Sequence, residues 1–137
     1  MNLNSEFQKA LGFHRKGDLN AAGELYESLL KAAPQQASIW HLAGVVSHQN
    51  GDLEKASRQI ANAVSISPEV AEYLISLGAV LKENGKFHKA RKTLEKAVSL
   101  APDDTDLINE LGDLANAMGD YDPLTGRYVI GHARRDH

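Results

Sequence analysis

The chain has 137 residues, 42% of them hydrophobic and 24% charged, which is the composition of one modest soluble domain. Its formal charge of −3 supplies no basic field for nucleic acid, and no apolar run reaches the roughly 18 residues that a membrane span requires. The absence of cysteine removes disulfide and thiolate chemistry, and "MNLNSEFQKA" at the start has no apolar core of the kind a cleaved export signal carries.

In chain order, the first segment (3–36) contains "HRKGDLNAA" (14–22), with Gly17 at a turn, and it closes on Pro34. In the second segment (37–70), "ASIWHLAGVVSHQN" (37–50) places Trp40, Ala43, Gly44 and Ser47 on one helical face. Small residues there let a second helix approach closely. Gly51 closes that helix where a positive φ is needed, and Asp52 is placed to cap the next one. "DLEKASRQIANAVSIS" (52–67) repeats apolar residues at Leu53, Ala56, Ile60, Ala63 and Val64, and Pro68 cannot continue the helix. The third segment (71–104) repeats the pattern with Gly78, Gly85, Ala90 and Pro102. The fourth (105–137) begins the same way, with Gly112 and Gly119.

Gly17, Gly51, Gly85 and Gly119 are spaced by 34 residues, as are Ala22, Ala56 and Ala90. Pro34, Pro68 and Pro102 keep the same beat, and so do Ala10, Gly44, Gly78 and Gly112. A period of 34 with a Gly turn in the middle and a Pro at the end describes a two-helix unit. Each hairpin leaves an apolar face that only a neighbouring hairpin can cover. On these residues the chain resembles the tetratricopeptide repeat family. Trp40 stands at the family's first-helix aromatic, and "LG" at 77–78 and 111–112, with "AG" at 43–44, stands at its Leu-Gly pair. Tyr26 holds the second-helix aromatic place, which Ile60 and Leu94 occupy in later copies. The resemblance implies an all-α fold of tetratricopeptide helix-turn-helix repeats stacked in a right-handed superhelix. It divides a single domain, 1–137, into repeats 3–36, 37–70, 71–104 and a degenerate or capping fourth, 105–137.

The resemblance also implies a concave groove, lined by the first helix of each repeat, that binds a peptide or protein segment. Its wall would carry Phe7, Leu11 and His14 from the first copy, and His41, Val45 and His48 from the second. The third would add Ile75 and Lys82, and the fourth Asp106, Asn109 and Asp113, with Glu110 beside them. This wall is apolar and histidine-bearing at one end and acidic at the other, which suits a partner with an apolar anchor and a basic stretch. Burying one Leu-sized anchor contributes roughly 1.5–3 kcal/mol, while the acidic groups set orientation and association rate. The competing expectation is that neighbouring repeats cover Phe7, Leu11 and Val45. Chaperone-binding members hold a terminal carboxylate with Lys, Arg and Asn, but the matching places here are Phe7, Leu11, Leu42, Glu72 and Ser76. The asparagine ladder of sugar-transferase arrays falls on Gln8, Leu42, Ser76 and Glu110.

No constellation points to catalysis or to a cofactor. His14, His41 and His48 could be considered as zinc ligands, but three histidines with no fourth ligand make a poor site, so they are read as polar groove residues. Asp103–Asp104 sits at a helix start and reads as capping. Each lone glycine belongs to the repeat rather than to a phosphate loop. The expected protein is a cytoplasmic, bacterial, non-enzymatic adaptor or scaffold. The alternatives are a recognition module of, or for, a larger enzyme such as a glycosyltransferase or signalling cyclase, and a self-assembling structural protein.

The end of the chain departs from the repeat. Asp122–Pro123 can open a last helix over about 123–135, with Tyr128 in the aromatic place of Tyr26. Against a helix, Gly126, Val129, Ile130 and Gly131 have poor helix propensity. Val129 and Ile130 also fall on the face that should be polar, so with Tyr128 they form a candidate self-association surface. "DPLTG" (122–126) resembles the opening motif of diguanylate cyclase domains, though "RYVIGHARRDH" does not continue that pattern.

Overall fold

The signals that recur every 34 residues produce recurring helices. The computed structural model describes residues 2–119, together with the backbone of 121–122 and 127–128. Its helices are α1 (Leu3–Arg15), α2 (Leu19–Ala32), α3 (Ala37–Gln49), α4 (Leu53–Ile66), α5 (Ala71–Glu83), α6 (Phe87–Leu100) and α7 (Thr105–Met118). Short polar side chains fix several of the starts. Asn2, Asp18, Asp52 and Asp104 each accept a hydrogen bond from the backbone N–H three residues on, at 3.0 to 3.1 Å. Inside each hairpin the chain turns through a left-handed residue, at Gly17 (φ 85°), Gly51 (φ 83°) and Gly85 (φ 77°). A side chain at any of these φ values would be strained.

Helix α1 pairs with α2, α3 with α4, and α5 with α6, while α2 meets α3, α4 meets α5 and α6 meets α7. Direct contacts of α3 with α5 and of α5 with α7 set the first helices side by side. The result is a right-handed superhelical stack of hairpins with α1, α3, α5 and α7 along one wall and α2, α4 and α6 behind them.

The core repeats with the sequence. Ala22, Ala56 and Ala90 are fully buried, and so are Tyr26, Ile60 and Leu94, four residues further on in the same second helices. Opposite the large residues stand the small ones of the first helices. A Cβ built on Gly44 would meet Ile60 Cγ1, and one built on Gly78 would meet Leu94 Cδ2. Glycine is therefore what allows α3 to seat on α4, and α5 on α6, at this separation.

Beyond α7, a short antiparallel pair joins β1 (Tyr121–Asp122) to β2 (Arg127–Tyr128), with Tyr121 opposite Tyr128. Arg127 and Tyr128 are extended, so a continuous helix over 123–135 is not formed. Gly126, in the interior of that stretch, disfavours one. The side chain of Tyr128, and Val129 and Ile130 entirely, lie outside the described residues.

Candidate functional site

The wall of first helices brings part of the expected groove together. Val45 and His48 on α3, Ile75 on α5, and Asp106 and Asn109 on α7 line one concavity of about 410 Å³. Ile60, Ser76, Ala79 and Glu110 complete it. One side of this space is aliphatic and the other carries two carboxylates. Phe7 and Leu11 on α1 do not reach it. Phe7 is half-buried against the cluster around Ala10 and Tyr26, with its ring centroid 6.5 Å from that of Tyr26.

The polar side chains of the wall are paired between adjacent first helices. His14 Nε2–H donates to Gln49 Oε1 at 2.8 Å, and His14 Nδ1 lies 3.2 Å from the Tyr26 hydroxyl. His48 Nε2–H donates to Glu83 Oε2 at 2.7 Å. His41 is buried, its ring lies tilted against that of Tyr73 with centroids 4.8 Å apart, and its Nε2 lies 2.8 Å from Ser76 Oγ. Burial pushes the His41 ring below the ordinary histidine range, opposed by the nearby Glu72 charge. Its role is thus neutral and structural at ordinary pH. The three histidines have separate partners and do not converge. Among the described residues no group of three His, Asp or Glu is arranged to hold a metal ion.

At the other end, Lys82 Nζ donates to Glu110 at 2.9 Å and lies 3.6 Å from Asp113. Burial pulls the Lys82 ammonium pKa down, but its hydrogen bond to Glu110 and the charges of Glu110 and Asp113 outweigh it, and the net direction is up. Lys82 therefore stays charged and neutralises part of the acidic wall. Asp106, Asn109 and Asp113 are exposed.

The sequence pattern missed two things. Ile60, on a second helix, reaches the concavity because Gly44 lets α4 come close. The pairings themselves were also missed, although they follow one rule. His14 to Gln49, His41 to Ser76 and His48 to Glu83 all span 35 residues, one repeat plus one position. The offset was visible as His14 and His48 standing 34 apart, with Gln49 and Glu83 also 34 apart.

A stack of two-helix repeats with a groove along its first helices defines a helical solenoid. Models of the tetratricopeptide repeat match residues 7–73 and 71–104. The chain belongs to the tetratricopeptide repeat family. No curated protein matches it. Among solved structures, the first such domain of Spaghetti (RPAP3), bound to the HSP90 peptide SRMEEVD, superposes with a TM-score of 0.80 at 18% identity, covering 85% of this chain and 95% of that one. An O-GlcNAc transferase from Thermobaculum terrenum gives 0.75 at 26% identity over 89% of this chain, which spans only 24% of the transferase. MamA gives 0.76 at 24% identity, over 80% of this chain and 64% of its own. Among the described residues no helix is long and apolar enough to cross a membrane.

Proposed function

We propose that this chain is a non-catalytic protein-interaction module whose concave groove holds a partner segment with an apolar anchor next to a basic residue. The observation that carries this reading is the concavity in which Val45, Ile75 and Ala79 face Asp106 and Glu110. The aliphatic side would take a Leu-sized side chain, worth roughly 1.5–3 kcal/mol. The carboxylates would select Lys or Arg beside it and speed encounter. Most other polar groups on the wall already have partners within the chain, so a ligand gains little from them. The RPAP3 domain holds a peptide ending in acidic residues, but acidic side chains here would repel such an end from this groove. A peptide array pairing Leu with Arg, Gln or Glu at several spacings tests the reading. Leu–Arg peptides should bind best, and Val45→Asp should abolish capture. Equal capture of Leu–Glu peptides, or indifference to Val45→Asp, would remove the proposal.

A second reading is favoured by the likeness to the O-GlcNAc transferase at 26% identity, in which the repeats serve as the recognition part of a larger enzyme. Co-purification of a transferase activity, lost with Val45→Asp, would distinguish it from a free-standing adaptor.

A further inference from the structure

The outer layer of second helices holds the same seam twice, and the two copies differ in a way that points to a second site. Between α2 and α4, over α3, the seam is closed on itself. Lys55 Nζ pairs with Glu27 at 2.8 Å, and below it Ser47 Oγ donates to Gln59 Oε1 at 2.6 Å. The remaining space is about 170 Å³. Between α4 and α6, over α5, the equivalent places 34 residues on carry different chemistry. Lys55 becomes Lys89, but its partner Glu27 becomes Ala61, and Glu24 becomes Arg58. The polar floor is replaced as well, since Ala43 and Ser47 become Leu77 and Leu81. The space opens to about 380 Å³ and is lined by Arg58, Ala61, Leu77, Leu81, Lys89 and Lys92, among others. Arg58, Lys89 and Lys92 are exposed, and none is paired with an acidic side chain among the described residues.

We propose that this seam is a second binding site, for an acidic peptide segment carrying one apolar side chain. The apolar side chain seats on Leu77 and Leu81, and flanking carboxylates meet the three cations, where Arg58 can engage a carboxylate in bidentate fashion. Charge complementarity selects this occupant. The site lies on the face opposite the groove and has the reverse charge preference. The chain could then hold a basic partner inside and an acidic one outside at the same time.

The test uses the full chain and a fluorescein-labelled peptide, Glu-Asp-Glu-Leu-Glu-Asp-Glu, followed by anisotropy. The wild type should bind saturably and less tightly as salt rises. Ala61→Glu restores the missing partner of Lys89, as in the preceding repeat. This variant and Lys89→Glu should each weaken binding about tenfold, with unchanged helical circular dichroism. Val45→Asp, in the groove, should leave it unchanged. The proposal is overturned if the wild type does not bind, if Val45→Asp removes binding, or if Ala61→Glu and Lys89→Glu leave it intact. It is also overturned if the variants act only on binding to phosphatidylserine vesicles, or only on concentration-dependent self-association in sedimentation. Those results would assign the seam to a membrane or to a second copy.

Discussion

Replacing Gly78 by Ala tests the claim that glycine sets the helix separation. Alanine in a helix interior gains about 1 kcal/mol over glycine from propensity alone. Its Cβ, however, would overlap Leu94 Cδ2 and stand 2.5 Å from Cγ. Leu94 is fully buried. Overpacking of this kind costs about 1–3 kcal/mol, and contact with two carbons of one side chain argues for the upper end. The net expectation is a loss of about 2 kcal/mol, or roughly 5–8 °C in Tm. Gly44→Ala should cost at least as much, because its Cβ would also come within 3.2 Å of the Ala56 backbone carbonyl, which cannot rotate away. Gly112 occupies the same repeat place, yet nothing among the described residues lies within 4 Å of an added Cβ there. Gly112→Ala should therefore stabilise by about 0.5–1 kcal/mol. Urea unfolding followed by circular dichroism at 222 nm reads all three. A Gly78→Ala protein as stable as the parent, at unchanged m-value, would refute the close-approach argument. A destabilised Gly112→Ala would show that a segment outside the described residues packs there.

Other expectations follow from single residues. The folded state holds His41 neutral below its ordinary pKa of 6.5, so the unfolded chain binds the proton more readily. Stability should be full above pH 6.5 and fall as the pH drops below it. His41→Gln should flatten that slope in urea titrations between pH 7 and 5. Lys82, with its pKa raised from 10.5, contributes stability that is complete below pH 10.5 and is lost as the pH rises through the folded value. Lys82→Ala should cost about 1 kcal/mol, while tightening a Leu–Arg groove peptide by roughly threefold as Glu110 and Asp113 lose their internal cation. Tyr26→Phe removes the hydroxyl beside His14 and should cost about 1 kcal/mol, read as a shift in urea midpoint.

The hairpin architecture was legible because the residues that specify it act locally and recur. A left-handed turn at Gly51, a cap at Asp52 and a small residue at Gly44 each demand one residue type, so the period of 34 exposes them. The concavity was only partly legible. Val45, His48, Ile75, Asp106 and Asn109 could be placed by first-helix periodicity, but Phe7 and Leu11 could not be separated from them. Which part of a wall opens into a cavity depends on neighbours one repeat away. The outer seam was overlooked for a related reason. Lys89 looks like any surface lysine until it is compared with Lys55, whose glutamate partner has no counterpart at Ala61. The information lay in a difference between repeats, whereas periodicity searches for sameness.

The hydrogen bonds from one first helix to the next also explain why the two ends of the groove differ electrostatically. His14 and His48 find partners 35 residues on, at Gln49 and Glu83. The next member of that series is Lys82, and 35 residues on from it stands Ala117, which offers no side-chain acceptor. Lys82 turns instead to Glu110 and Asp113 on α7. The polar part of the contact between α5 and α7 is therefore a lysine–carboxylate pair where the earlier ones use imidazole. In a solenoid, where each repeat touches only its neighbours, salt should loosen the last junction more than the first two. Hydrogen exchange in α7 should accordingly rise with salt while exchange in α3 stays constant. Uniform protection of both helices from low to high salt would show that apolar contacts such as Leu107 and Leu114, not the lysine, hold α7 in place.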